Sequence, residues 1–108
     1  MFEADPEILD LAFLRRQTEG DSALERELLG LLVGQCVELL PVLATNPDGV
    51  ARRDAAHGLR GAAAGLGANR LAAVAAAIEA GREPPIGIES AIGEVIRTVE
   101  QILQRNAA

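Results

Sequence analysis

The sequence predicts an all-α fold, an antiparallel up-down four-helix bundle with a short extra N-terminal helix, on three observations. Alanine and leucine, residues of high helix propensity, are abundant along the 108 residues, whereas aromatics are limited to two Phe. Apolar residues recur at helical rather than alternating spacing. Start and stop signals divide the chain into long helices joined by short loops, which favours antiparallel neighbours. With 49% hydrophobic residues, the length suits one domain, residues 1–108, with an aliphatic core.

The first element is signalled by Asp5-Pro6-Glu7: an N-cap acid, a proline at the first helical position and an acid in the first turn. Ile8, Leu9, Ala12 and Phe13 follow at helical spacing, and this short helix ends near Thr18. Gly20 breaks the chain. Ser22 with Glu25 reads as a capping box opening a long second helix over about 22–44. Its polar strip of Glu27, Gly30, Gly34, Glu38 and Pro41 is narrow, so the helix should be buried on more than one side, and Pro41 should kink or loosen its last turns.

Asn46-Pro47-Asp48 is a second cap with an N1 proline and opens a third helix over about 47–66, before Gly67. A fourth helix over about 69–80 places Leu71, Val74, Ala75 and Ile78 on one face and stops at Gly81. After the loop Arg82-Glu83-Pro84-Pro85, the stripe Ile88, Ile92, Val95, Ile96, Val99, Ile102 and Leu103 marks a final helix over about 87–105. Residues 105–108 are expected to fray.

Ten basic and sixteen acidic residues give a formal charge of −6, which opposes general attraction to nucleic acid or anionic lipid. The one cysteine, Cys36, falls within an apolar helical pattern and reads as a small buried hydrophobe in a reducing compartment. The opening segment MFEADPEILD has neither the charged nor the apolar region of a secretory signal, and no apolar run is read as approaching a membrane span. A soluble cytoplasmic protein without a membrane partner is the expectation.

On the third helix, Ala55, Leu59, Ala62 and Leu66 fall within a narrow sector at about 100° per residue and form the expected core stripe. His57 lies roughly opposite, sharing an outward sector with Arg53, Arg60, Gly61 and Ala64. Most lone helical histidines are solvated surface residues or hydrogen-bonded core residues, and this geometry removes only the second reading. Gly58 and Gly61 add weight, because each mid-helix glycine costs about 1 kcal/mol relative to alanine. Gly58 would let another helix approach; Gly61 would leave room beside the imidazole for a reacting group. Arg60, three residues on, can offer paired donors to phosphate oxygens.

Imidazole suits phosphoryl carriage: a neutral fraction exists near pH 7, one nitrogen attacks phosphorus and the other stays hydrogen-bonded. A metal site is disfavoured, since there is no second histidine, no cysteine pair and no carboxylate four residues either side of His57.

The run His57-Gly58-Leu59-Arg60-Gly61-Ala62, continued by Leu66-Gly67-Ala68, resembles the signature of the histidine-containing phosphotransfer (HPt) domain family, His-x-Leu-Lys-Gly-Ser followed by Leu-Gly-Ala. The likeness extends to Leu71 and Ile78-Glu79, and upstream to Gly20-Asp21 with Leu24, Leu28 and Leu31. It implies that His57 accepts the phosphoryl group, Arg60 stands for the phosphate-facing lysine and Gly61 keeps the site open. Gln35 and Glu79 are weaker candidates as polar neighbours of the imidazole. Two departures stand out: Arg60 replaces the commoner lysine, and Ala62 replaces a small hydroxyl residue.

The resemblance further implies response-regulator receiver domains and a hybrid sensor histidine kinase as partners, with Mg²⁺ held by the receiver and no cofactor intrinsic to this chain. No glycine loop followed by Lys-Ser or Lys-Thr is present to cradle ATP. A monomer is expected. Two alternatives remain open at this point: a helical adaptor whose histidine is incidental, and a degenerate domain that docks receivers without accepting phosphate. A hydrolase is disfavoured, because no nucleophile-base-acid set assembles around one exposed histidine.

Overall fold

A computed structural model describes residues 4–45, 47–81 and 87–106. Among them the regular structure is helical throughout: α1 (Leu11–Gln17), α2 (Ser22–Thr45), α3 (Gly49–Leu66), α4 (Asn69–Glu79) and α5 (Ile88–Asn106). Helix α2 packs against α3 and α5, and α4 packs against the same two, so four helices close a ring; α1 touches α3.

The starts differ from the expected caps in a consistent way. Asp5-Pro6-Glu7 forms a separate turn, in which the Ile8 and Leu9 amides donate to the Asp5 carbonyl at 2.9 Å. Helix α1 begins afresh at Leu11, with the Asp10 carboxylate accepting from the Phe13 amide at 3.1 Å. The cause is tertiary: the Asp10 amide donates to the Gly67 carbonyl, and the Arg70 amide to the Glu7 carbonyl, which fixes residues 7–10 against the α3–α4 turn. Asp21, rather than Ser22, caps α2 through the Leu24 amide at 3.0 Å, while Glu25 turns to accept from the Thr18 hydroxyl at 3.1 Å. Asp48 caps α3 through the Val50 and Ala51 amides; the expected Asn46 cap lies outside the described residues. In each case an aspartate's short acceptor reaches the free amides one turn in.

Helix α2 continues through Pro41 to Thr45, whose hydroxyl donates to the Pro41 carbonyl at 2.7 Å. Contrary to the reading of short apolar runs, α2 is long and apolar enough to cross a membrane by length and composition. Its place in the ring accounts for only part of that character: 22% of the apolar stretch is buried, Leu29, Leu32, Cys36 and Leu43 on one face, while Leu24, Leu31 and Val37 are exposed, so the helix is buried along one side rather than on more than one. Burial pushes the Cys36 thiol up to about 11, so it stays protonated as a small apolar side chain.

The core is aliphatic. Leu59 of α3, Leu71 and Ile78 of α4, and Ile88, Ile92, Val95 and Val99 of α5 meet the buried residues of α2, with Leu9 and Leu14 closing one end. The α5 stripe lies where its periodicity places it. Helix α4 ends at Glu79 and is followed by Gly81 in the left-handed region. The loop at residues 82–85, and the expected fraying at 107–108, lie outside the described residues; Arg105 and Asn106 are helical.

Candidate functional site

The α3–α4 turn sets the site. Gly67 ends α3 with φ 83°, and the Ala68 amide donates back to the Ala63 carbonyl at 2.8 Å, closing the last turn. A Cβ at Gly67 would stand 3.0 Å from the Asp10 carbonyl oxygen and 3.2 Å from the Phe13 ring. Both the backbone and the space therefore require glycine. Helix α4 leaves after only Ala68 and runs along the flank of α3.

That flank rotates the core of α3 slightly from expectation. The fully buried residues are Ala56, Leu59 and Ala63, while the expected Ala55, Ala62 and Leu66 are half-buried. Helix α4 covers the Ala56 and Ala63 side, and α2 lies along the side of Ala62 and Leu66. His57 remains outward, its side chain 76% exposed.

The imidazole is held from α4. Its Nδ1 lies 2.8 Å from Glu79 Oε1, and Arg60 Nη1 donates to Glu79 Oε2 at 2.9 Å. One carboxylate thus bridges the histidine and the arginine one turn along. The hydrogen bond with His57 and then that with Arg60 hold the Glu79 carboxyl below its ordinary value, so it is ionised near neutral pH. An ionised carboxylate only accepts; Nδ1 therefore carries the proton, and the neutral ring presents an unprotonated Nε2 to solvent.

The remaining expected residues separate into neighbours and bystanders. A Cβ at Gly61 would meet nothing within 4 Å, so the surface one turn beyond His57 is open. Gly58 faces α2, where a Cβ would make ordinary contact, 3.8 Å from Gln35 Nε2; close helix approach does not demand glycine there. Gln35 forms no hydrogen bond with the imidazole and instead lines a groove of about 300 Å³ with Leu28, Leu31, Gly61, Gly65 and Leu66. Arg53 and Ala64 are exposed on the His57 face without touching the ring. The Arg60 to Glu79 bond was not foreseen: helical spacing places Arg60 beside His57, but only the course of α4 brings the same carboxylate to both.

Fold and site together define a helical bundle that presents a carboxylate-held imidazole at an open surface. The family model of the Hpt domain matches residues 25–107, and the chain belongs to that family. No curated protein and no solved structure matches it. Hpt domains act in histidine phosphotransfer within phosphorelays, working with response-regulator receiver domains and kinases.

Proposed function

We propose that this protein is an active phosphocarrier: His57 accepts a phosphoryl group from the aspartate of one receiver domain and passes it to another. The observation that carries this reading is the bond from His57 Nδ1 to the Glu79 carboxylate, which leaves Nε2 as the free nucleophile on an exposed, rigid helix. In the transfer, the Nε2 lone pair attacks phosphorus, the N–P bond forms and the P–O bond to the receiver aspartate breaks. The departing carboxylate keeps its electron pair. The proton stays on Nδ1, where Glu79 balances the positive charge that the ring acquires. The reverse sequence returns the group to an aspartate.

Arg60 is proposed as the phosphate-facing cation. In the resting site it is held by Glu79, so it would exchange one anionic oxygen for another as the phosphoryl group arrives. Gly61 leaves the attacking face clear. The receiver brings the Mg²⁺ that neutralises its phosphoryl oxygens; this chain needs no cofactor of its own. The groove beside Leu31, Gln35 and Gly65 is the proposed seat for the receiver's apolar contacts. As an architecture, a single antiparallel up-down bundle with α1 over one end accords with the four-helix ring. A cytoplasmic monomer served by a hybrid kinase completes the proposal.

The test is label transfer from phosphorylated receiver domains to the wild type and to His57→Gln. Acid-labile label on the wild type alone supports the carrier. Receiver binding by both proteins without label on either would instead favour a degenerate docking domain. Because His57 is mostly exposed, the substitution should alter stability by no more than about 0.5 kcal/mol.

A further inference from the structure

Among the described residues, the groove between α2 and α3 is lined by leucines, Ala62, Gly61, Gly65 and a single polar side chain, Gln35. That side chain is half-buried and makes no hydrogen bond among the described residues. A carboxamide is a poor lining for an apolar seat. When a receiver covers the groove, the amide gives up water, and burial without a new partner is unfavourable.

Position decides what the amide can meet. Gln35 Nε2, the donor end, lies 3.8 Å from where a Cβ on Gly58 would stand, so it reaches α3 at the residue next to His57. The ring is tied through Nδ1 to Glu79 on α4, which turns the opposite edge, with Nε2, away from α4. On that side α3 presents Gly58 and Gly61, which have no side chains to intervene. The charges nearby are already balanced, Arg60 by Glu79 and exposed Arg53 by exposed Asp54. A neutral amide brings two N–H donors with no counter-ion.

We infer that Gln35 is a catalytic residue of phosphoryl transfer: its Nε2 donates to a phosphoryl oxygen as the group passes onto His57, from the α2 side and across from Arg60. This inference rests on the phosphocarrier reading. The bond exists only while phosphorus lies between the two partners, so it lowers the barrier to transfer rather than strengthening docking.

The experiment uses Gln35→Met and Gln35→Glu in the full chain, each checked for helicity, with two phosphoryl donors. Methionine keeps the length and apolar contact of the side chain but cannot donate. One donor is a phosphorylated receiver that labels the wild type. The other is phosphoramidate, from which Nε2 takes the phosphoryl group while ammonia leaves with the electron pair of the broken P–N bond. Gln35→Met should lose on the order of tenfold in rate at saturating receiver with KM little changed, and a similar factor with phosphoramidate. Gln35→Glu, which sets a carboxylate against the phosphoryl oxygens, should lose more with both donors. A loss with the receiver alone would make Gln35 a docking residue and overturn the inference, as would wild-type rates for Gln35→Met with both donors. A wild type that takes no label from any receiver would overturn the carrier reading and this inference with it.

Discussion

His57 Nδ1 and Glu79 Oε1 lie 2.8 Å apart although 22 residues and a helix boundary separate them. The pair turns a surface histidine into a directed nucleophile, because the carboxylate fixes which nitrogen holds the proton. Free imidazole favours the opposite tautomer, with the proton on Nε2. In the wild type, ¹⁵N-resolved NMR of the neutral ring should therefore show a protonated Nδ1 and a bare Nε2. Glu79→Ala should restore the ordinary mixture and slow phosphoryl acceptance by on the order of tenfold or more, the lower end of what losing a carboxylate that orients a histidine costs at metal sites. An unchanged tautomer in the variant would break the link between Glu79 and reactivity.

The same carboxylate makes stability depend on pH. Its folded value is depressed, first by the bond with His57 and then by that with Arg60. A depressed carboxyl binds fewer protons folded than unfolded, so its contribution is present above the unfolded value of about 4.3. It is lost as pH falls through the folded value. Thermal unfolding of wild type and Glu79→Gln should therefore differ near pH 6 and converge in the acid range below about 4. Arg60→Gln should reproduce part of that difference, since it removes one of the two donors. A constant gap in Tm down to the lowest pH would show that Glu79 acts through packing alone.

The five helices were legible because their signals are local: the α5 stripe, the α4 face and the stops at Gly67 and Gly81 need only spacing and residue type. Caps were less legible, since Asp10 and Asp21 compete with neighbours of equal propensity, and hydrogen bonds from distant residues decide between them. Residues 7–10 are the plainest case, where bonds to Gly67 and Arg70 outweigh the proline signal at Pro6. At the site, the outward position of His57 followed from helical angles. Its bond to Glu79, and the engagement of Arg60 by the same carboxylate, depend on the relative placement of two helices, which periodicity along either one does not contain.

That placement hangs on Gly67. An L side chain there would have to adopt a left-handed backbone, which costs about 1–2 kcal/mol, and its Cβ would press on the Asp10 carbonyl at 3.0 Å. The carbonyl cannot retreat freely, because Asp10 is tied on both sides: its amide donates to the Gly67 carbonyl and its carboxylate caps α1. Gly67→Ala should lower the unfolding free energy by about 2 kcal/mol or more in urea denaturation, while an alanine at Gly61, where a Cβ meets open space, should not destabilise the helix. The two variants also separate stability from function. Gly67→Ala should shift α4 and loosen Glu79 from His57, so that the tautomer signal weakens even in fully folded protein. Gly61→Ala should keep that signal and affect only the clearance around Nε2. If Gly67→Ala keeps both full stability and the Nδ1-protonated ring, the turn does not position the site.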